Sequence, residues 1–309
     1  MPDSTAHWDQ GDLLSLSPPG AEASQPSPSR EPALAAAPEP VLAVLPSPRL
    51  ELADSDDEAG SDAVAIPETL LILDTETTGL SPAEHRCIEV GAVLFHVAGR
   101  SVLTQVSFLL PCQSNSAAHV NGIDAALSRL PQPWPQALAC FEAMVAACDA
   151  VLAHNAAFDR QWFGRPPLPA IPRRWICSME DLAWPVERHL RATPSVRDLA
   201  LAYGVPVWAA HRALTDCIYL AQVLERCDDL EALLAAALEP RQLYRAEVSY
   251  AERQLAREAG FRWNDPVPRA WTRRLSCREA EALPFAVKPV ACEESAASAG
   301  ESGSLARTA

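Results

Sequence analysis

No CxxC pair occurs among the nine cysteines, and their number is odd. That excludes a disulfide framework and a zinc ribbon. Several thiols sit in apolar runs such as Cys217-Ile218, as small core residues do, so no stable zinc site is expected. No apolar run approaches the roughly 20 residues that a membrane-spanning helix needs, and no membrane partner is expected. Basic residues are missing from the start of the chain, where Asp3, Asp9 and Asp12 stand instead, so a secretory leader is not expected and the chain reads as cytoplasmic. Bases are scarce throughout. There are 25 against 40 acids in 309 residues, a net charge of −15, and Lys288 is the sole lysine. Such a total normally argues against a polyanionic partner.

The charge is unevenly spread, however. Residues 1–68 carry a net −11 and residues 69–240 a net −6, whereas residues 241–290 carry +4 and residues 291–309 carry −2. The first of these segments holds 11 prolines, many serines and alanines, and the acidic run from Asp54 to Glu58. Too little of it is apolar for burial to offset the entropy of ordering, so 1–68 reads as a disordered acidic head. Residues 291–309 read as a short disordered tail. Between them the composition, 49% hydrophobic and 21% charged overall, suits a folded domain followed by a small basic module at 241–290.

The folded part begins with an apolar run at 69–74 that fits a buried strand, then strands at 88–95 and 102–110 joined through Gly99-Arg100. A helical pattern follows at 135–148, a fourth strand at 150–153, and helices near 156–163, 195–203 and 214–227. Antiparallel strands first, then strands alternating with helices, predict an α/β domain with a mixed central sheet.

The most informative segment is Leu73-Asp74-Thr75-Glu76-Thr77-Thr78-Gly79-Leu80. Carboxylates at i and i+2 of a strand point to one face, and two like charges so close are costly unless a cation lies between them. Gly79 then lets the backbone turn and leaves room for a ligand. A further carboxylate follows the fourth strand in His154-Asn155-Ala156-Ala157-Phe158-Asp159, and a histidine precedes another in His211-Arg212-Ala213-Leu214-Thr215-Asp216. Five residues turn through about 500° on an ideal helix, leaving His211 and Asp216 about 140° apart. Both face one site only if His211 lies in the loop before the helix.

These three motifs, in this order and with Ile88-Glu89-Val90-Gly91-Ala92-Val93 after the first, resemble the DEDDh family of 3′–5′ exonucleases, of the polymerase III proofreading-subunit type with an RNase H-like fold. The resemblance covers about residues 69–227. It implies that Asp74, Glu76, Asp159 and Asp216 are the acidic metal ligands and His211 the general base. Phosphodiester hydrolysis needs an activated water and a stabilised leaving oxygen, which two divalent ions about 3.5–4 Å apart supply. Oxygen-only coordination favours Mg²⁺ or Mn²⁺. A neutral imidazole, with an ordinary pKa of about 6.5, suits a base near neutral pH. The same resemblance implies contacts to the terminal nucleotide from Thr77 and Thr78, and from the segment His119 to Ile123. Asn155 and Phe158 are further candidates. For each of these, substrate contact and a structural role are both open.

In the basic module, a helix is expected at 250–259 with Gly260 to stop it, then two strands at 261–263 and 271–274. The pattern is similar to a helix-plus-hairpin unit appended to DNA-processing proteins. Its arginines interleave with Tyr250, Phe261, Trp263 and Trp271, residues that either grip single strands or fill the module's own core. Gln10-Gly11-Asp12-Leu13-Leu14 resembles the peptide by which bacterial replication proteins bind the sliding clamp, although Gly11 departs from the apolar second position. The expected substrate is the 3′ end of DNA, single-stranded by preference, in the bacterial cytosol or at the nucleoid. The alternatives are a related exoribonuclease acting on short RNA and a catalytically inert nucleic-acid-binding scaffold.

Overall fold

A computed structural model describes residues 65–209 and 211–290. The head up to residue 64, with the candidate clamp peptide at 10–14, and the tail from 291 lie outside the described residues.

Three long strands open the fold: β1 (Thr69–Thr77), β2 (Cys87–His96) and β3 (Ser101–Leu109). Two short helices, α1 (Ala118–Asn121) and α2 (Ala125–Ser128), lead to α3 (Trp134–Ala147). Then come β4 (Ala150–Ala153), α4 (Ala156–Arg160), β5 (Arg174–Cys177), α5 (Val196–Ala202), α6 (Ala213–Glu225) and α7 (Leu230–Ala237). The sheet order is β3-β2-β1-β4-β5. Its first three strands run antiparallel, while β1, β4 and β5 run parallel. This is the mixed-sheet α/β architecture expected from the sequence.

Side-chain alternation along β1 decides where the chemistry goes. Leu71 and Leu73 pack with Phe141, Met144 and Val145 of α3 on one face. Leu70 and Ile72 pack on the other face with Leu199 of α5, Leu220 and Leu224 of α6, and Leu233 and Leu234 of α7. Asp74 and Glu76 continue the even-numbered series and so emerge on the α6 side.

β2 completes the arrangement. In register, Gly91 stands opposite Asp74 and Glu89 opposite Glu76. The start of α6 rests directly on Gly91, where a Cβ would come within 2.2 Å of the Leu214 backbone nitrogen and 2.3 Å of the Ala213 carbonyl carbon. Only a glycine admits so close a helix. Gly91→Ala is therefore expected to push α6 off the sheet, at about 1–3 kcal/mol by the usual cost of overpacking. A thermal melt unchanged by the substitution would contradict this packing.

Sequence periodicity missed several elements. β5 is four residues long and α7 lies beyond the last expected helix. α4 is shorter than expected, since residues 161–164 continue as turns that close at Gly164 with φ +83°. The C-terminal module is larger than a helix plus hairpin. β6 (Arg241–Ala246), α8 (Arg253–Glu258), β7 (Arg262–Trp263), β8 (Trp271–Ser276), α9 (Cys277–Glu281) and β9 (Val287–Pro289) form a second sheet of order β7-β8-β6-β9. α8 begins later than expected because the Glu252 carboxylate accepts from the backbone N–H and the hydroxyl of Ser249, which holds 249–252 as a turn. Gly260, at φ +78°, ends the helix where the sequence placed its stop.

Among the described residues the eight cysteines are free. Six are buried as small core residues, and Cys140 and Cys277 are exposed. No helix among the described residues is long and apolar enough to cross a membrane.

Candidate active site

Asp74, Glu76, Asp159, His211 and Asp216 all line one cleft of about 430 Å³. They arrive from β1, α4, the loop before α6 and α6 itself. His211 has φ +61° and stands two residues before α6 begins, off the regular helix as the angular arithmetic requires. Its backbone N–H donates to Asp216 Oδ2 at 3.2 Å, so the loop is tied to the helix it precedes. The same loop is held from behind by Tyr219, whose hydroxyl accepts from the backbone N–H groups of Trp208 and Ala209 at 2.9 Å each and donates to the Ala209 carbonyl at 2.7 Å.

The electrostatics are those of anions without enough countercharge. Burial, then the nearby Asp159, Glu76 and Asp216, holds the Asp74 carboxyl well above the usual range. Glu76 is pushed up to about 8 by burial and by Glu89, Asp216 and Asp159. Asp159 rises to about 7 through burial, against the Thr75 backbone N–H at 3.0 Å and hydroxyl at 2.7 Å, which favour its charged form. Burial also raises Asp216, opposed by the His211 N–H. Arg212 lowers Glu76, but by less than burial or any of the neighbouring carboxylates raises it. Arg212 is committed to the buried Glu89, donating from Nε at 3.0 Å and from Nη2 at 2.7 Å, and the Ala213 N–H joins at 3.1 Å.

A hard divalent cation fits this donor set. One ligand atom each from Glu76, His211 and Asp216 lies within 4.8 Å of the others, a spacing that one ion could close. Asp74 and Asp159 line the same cleft.

The weaker sequence candidates divide. Phe158 lines the cleft. Thr77 and Thr78 are buried and internally engaged: the Thr77 hydroxyl donates to the Gly79 carbonyl at 2.7 Å, and the Thr78 hydroxyl accepts from the Arg86 N–H at 3.0 Å. Ile123 is packed with Ile88 and Cys112 in the interior, and His119 is exposed on α1; neither lines the cleft. The segment is nonetheless pinned to the strand end, since the Asn121 amide donates to the Thr77 carbonyl at 3.1 Å. Asn155 adopts φ +64° at the start of α4 and does not line the cleft. The space beside Gly79 that the sequence reserved for a ligand is taken by the imidazole of His85, 2.1 Å from where a Cβ would stand.

Several participants escaped the sequence reading. Thr75 orients Asp159, and the Glu89–Arg212 pair clamps the start of α6. Arg197 is exposed at the rim of the cleft. His154 also lines it, bonded through Nδ1 to the Ser178 hydroxyl at 2.9 Å, and burial lowers its pKa to about 4. It is a neutral wall of the site.

The family described as "Exonuclease" matches residues 71–224, and a domain of unknown function, DUF8626, matches residues 242–290. A curated relative, the PolC-type DNA polymerase III of Thermotoga maritima, is 29% identical over 196 residues, which are 56% of this chain and 12% of the polymerase. The chain thus spans about an eighth of that relative's length. Among solved structures, a full-length 3′-exonuclease is similar at 16% identity, covering 52% of this chain and 82% of its own, with a TM-score of 0.41. Exonuclease I is similar at 17% identity, covering 58% of this chain and 48% of its own, with a TM-score of 0.42. A zinc-bound complex of E. coli ExoI with single-stranded DNA is similar at 18%, covering 61% and 50%, with a TM-score of 0.43. Residues 71–224 of the chain are thus similar to the exonuclease family.

Proposed function

We propose that the protein removes nucleotides one at a time from the 3′ end of single-stranded DNA, with Asp74, Glu76, Asp159 and Asp216 holding two divalent cations, Mg²⁺ or Mn²⁺, and His211 as general base. The observation that carries this reading is the convergence of those side chains, from four separate places in the chain, on one cleft whose carboxyl groups lack a countercharge.

In the reaction the oxygen of a water attacks the terminal phosphorus as the bond to the 3′ oxygen of the preceding nucleotide breaks. The products are a nucleoside 5′-monophosphate and a strand one unit shorter that ends in a 3′-hydroxyl. The cations, when bound, neutralise the phosphate and lower the pKa of the attacking water. His211 accepts that water's proton at a ring nitrogen from its place on the exposed side of the cleft. Asp159 is kept in one orientation by Thr75, and the Glu89–Arg212 clamp keeps Asp216 facing β1. Arg197 offers a positive charge at the rim for the scissile or next phosphate, and Phe158 an apolar face for the terminal base.

The test uses 5′-labelled single-stranded DNA, duplex DNA and RNA, each with Mg²⁺ or with EDTA. Single-stranded DNA is expected to give a ladder shortening by single nucleotides, absent in EDTA and in Asp216→Ala. Internal cuts, or a ladder that survives Asp216→Ala, would remove the assignment. Faster degradation of RNA would shift the substrate class while leaving the site in place.

A further inference from the structure

A second cavity, of about 440 Å³, opens in the C-terminal module between β6, the turn before α8 and the β7–β8 hairpin. Two rings and several guanidinium groups define it. Tyr250 is 81% exposed and Trp263 54% exposed. Neither is needed for the module's interior, which Tyr244, Phe261 and Leu275 fill, with Phe285 and Trp271 packed against them. Trp263 leans on Trp271 at 5.6 Å between ring centroids, which fixes its plane. Arg253 lies 3.9 Å from the Tyr250 ring centroid and donates to the Tyr250 carbonyl at 2.6 Å.

The charges are equally distinctive. Arg245, Arg253 and Arg269 line the cavity, and among the described residues none of them is in an ion pair and no acid lines it. Three of the module's other arginines are paired, Arg241 with Asp181 and Glu279, Arg262 with Glu180, and Arg278 with Glu239, while Arg257, Arg273 and Arg274 lie outside the groove. The nearest carboxylates are already engaged, Glu252 by Ser249 at the edge of the groove and Glu247 by Lys288.

We propose that the groove binds a short stretch of single-stranded nucleic acid, with bases stacked on Trp263 and Tyr250 and phosphates against Arg245, Arg253 and Arg269. Flat, exposed rings accept any base, and guanidinium groups outside ion pairs neutralise the backbone beside them. An acidic peptide would use the arginines and leave the rings idle. A proline-rich peptide would use the rings and leave the charges unpaired. Single strands use both. The groove shares no residue with the carboxylate cleft, so it does not rest on the nuclease reading.

The test measures fluorescence anisotropy of labelled dT and rU oligonucleotides with the full-length protein in EDTA, where strands remain uncut. Replacing both Tyr250 and Trp263 by Ala is expected to weaken binding about tenfold or more, and Trp263→Phe to keep most of it. Arg245→Ala and Arg269→Ala are each expected to lower the slope of log affinity against log salt by about 0.7. Thermal melts of the variants establish that the module still folds. A folded ring-less variant that binds oligonucleotide as wild type does would overturn the proposal. So would groove substitutions that change affinity only for a peptide copied from residues 20–60.

Discussion

Asp74→Asn is expected to lower the rate of nucleotide release in Mg²⁺ by about 10³-fold, on the order of 4 kcal/mol of transition-state stabilisation, while making the metal-free protein more stable. The two effects share one cause. Asp74, Glu76 and Asp159 are buried together, and their carboxyl groups are raised above the ordinary range, Glu76 to about 8 and Asp159 to about 7. A carboxyl raised in the folded state contributes stability that is fully present below its unfolded pKa and lost as pH rises through the folded value. The metal-free protein should therefore melt progressively lower from about pH 5 to above 8. Removing one charge flattens that decline, and at pH 8 the variant should melt several degrees higher, at about 2–4 °C per kcal/mol for a domain of this size. Divalent cations should raise the wild-type midpoint and leave the variant's nearly unmoved, because binding to the folded state alone is what stabilises. A variant that melts lower than wild type without metal would show that Asp74 holds the fold together and does not strain it.

His211→Ala is expected to cost about 10²–10⁴-fold in rate, the range for loss of a general base. The position of His211 beside Glu76 and Asp216 offers a competing role, since its ring nitrogen lies within ion-sharing distance of both carboxylates. The Mg²⁺ concentration for half-maximal activity separates the two. A base leaves it unchanged in the variant, and added imidazole restores part of the rate. A ligand raises it, and imidazole restores nothing at saturating Mg²⁺.

How much of this was legible beforehand depended on how local each signal is. Alternation along 70–76 put Asp74 and Glu76 on one face, and the register of β1 against β4 then brought α4, with Asp159, to the end of the same strand. The off-helix position of His211 followed from the 3.6-residue period once His211 and Asp216 were assigned to one site by the family resemblance. Other features are invisible to a linear reading. Glu89 meets Arg212 across 123 positions, and Thr75 meets Asp159 across 84. Gly91 looks like any glycine in a strand until α6 is laid on it. β9 is three residues long, too short to display a period, and joins its sheet by pairing with β6. Ile123 lies in a segment that resembles the family's contact to the terminal base, with imperfect spacing, and its burial with Ile88 and Cys112 gives it packing partners that a linear reading does not reveal. In the module, the sequence left open whether the aromatics serve core or ligand; exposure divides them, Phe261 inward and Trp263 outward.

The most direct measurement is a Mn²⁺ titration followed by electron paramagnetic resonance, on wild-type protein and on Asp74→Asn and Asp216→Asn, in the presence of a nucleoside monophosphate. Two ions per chain, close enough for their spins to couple, and loss of the coupled signal in either variant are the predicted results. Isotherms for wild type and both variants that superimpose, with no coupled pair, would mean that these carboxylates do not gather metal.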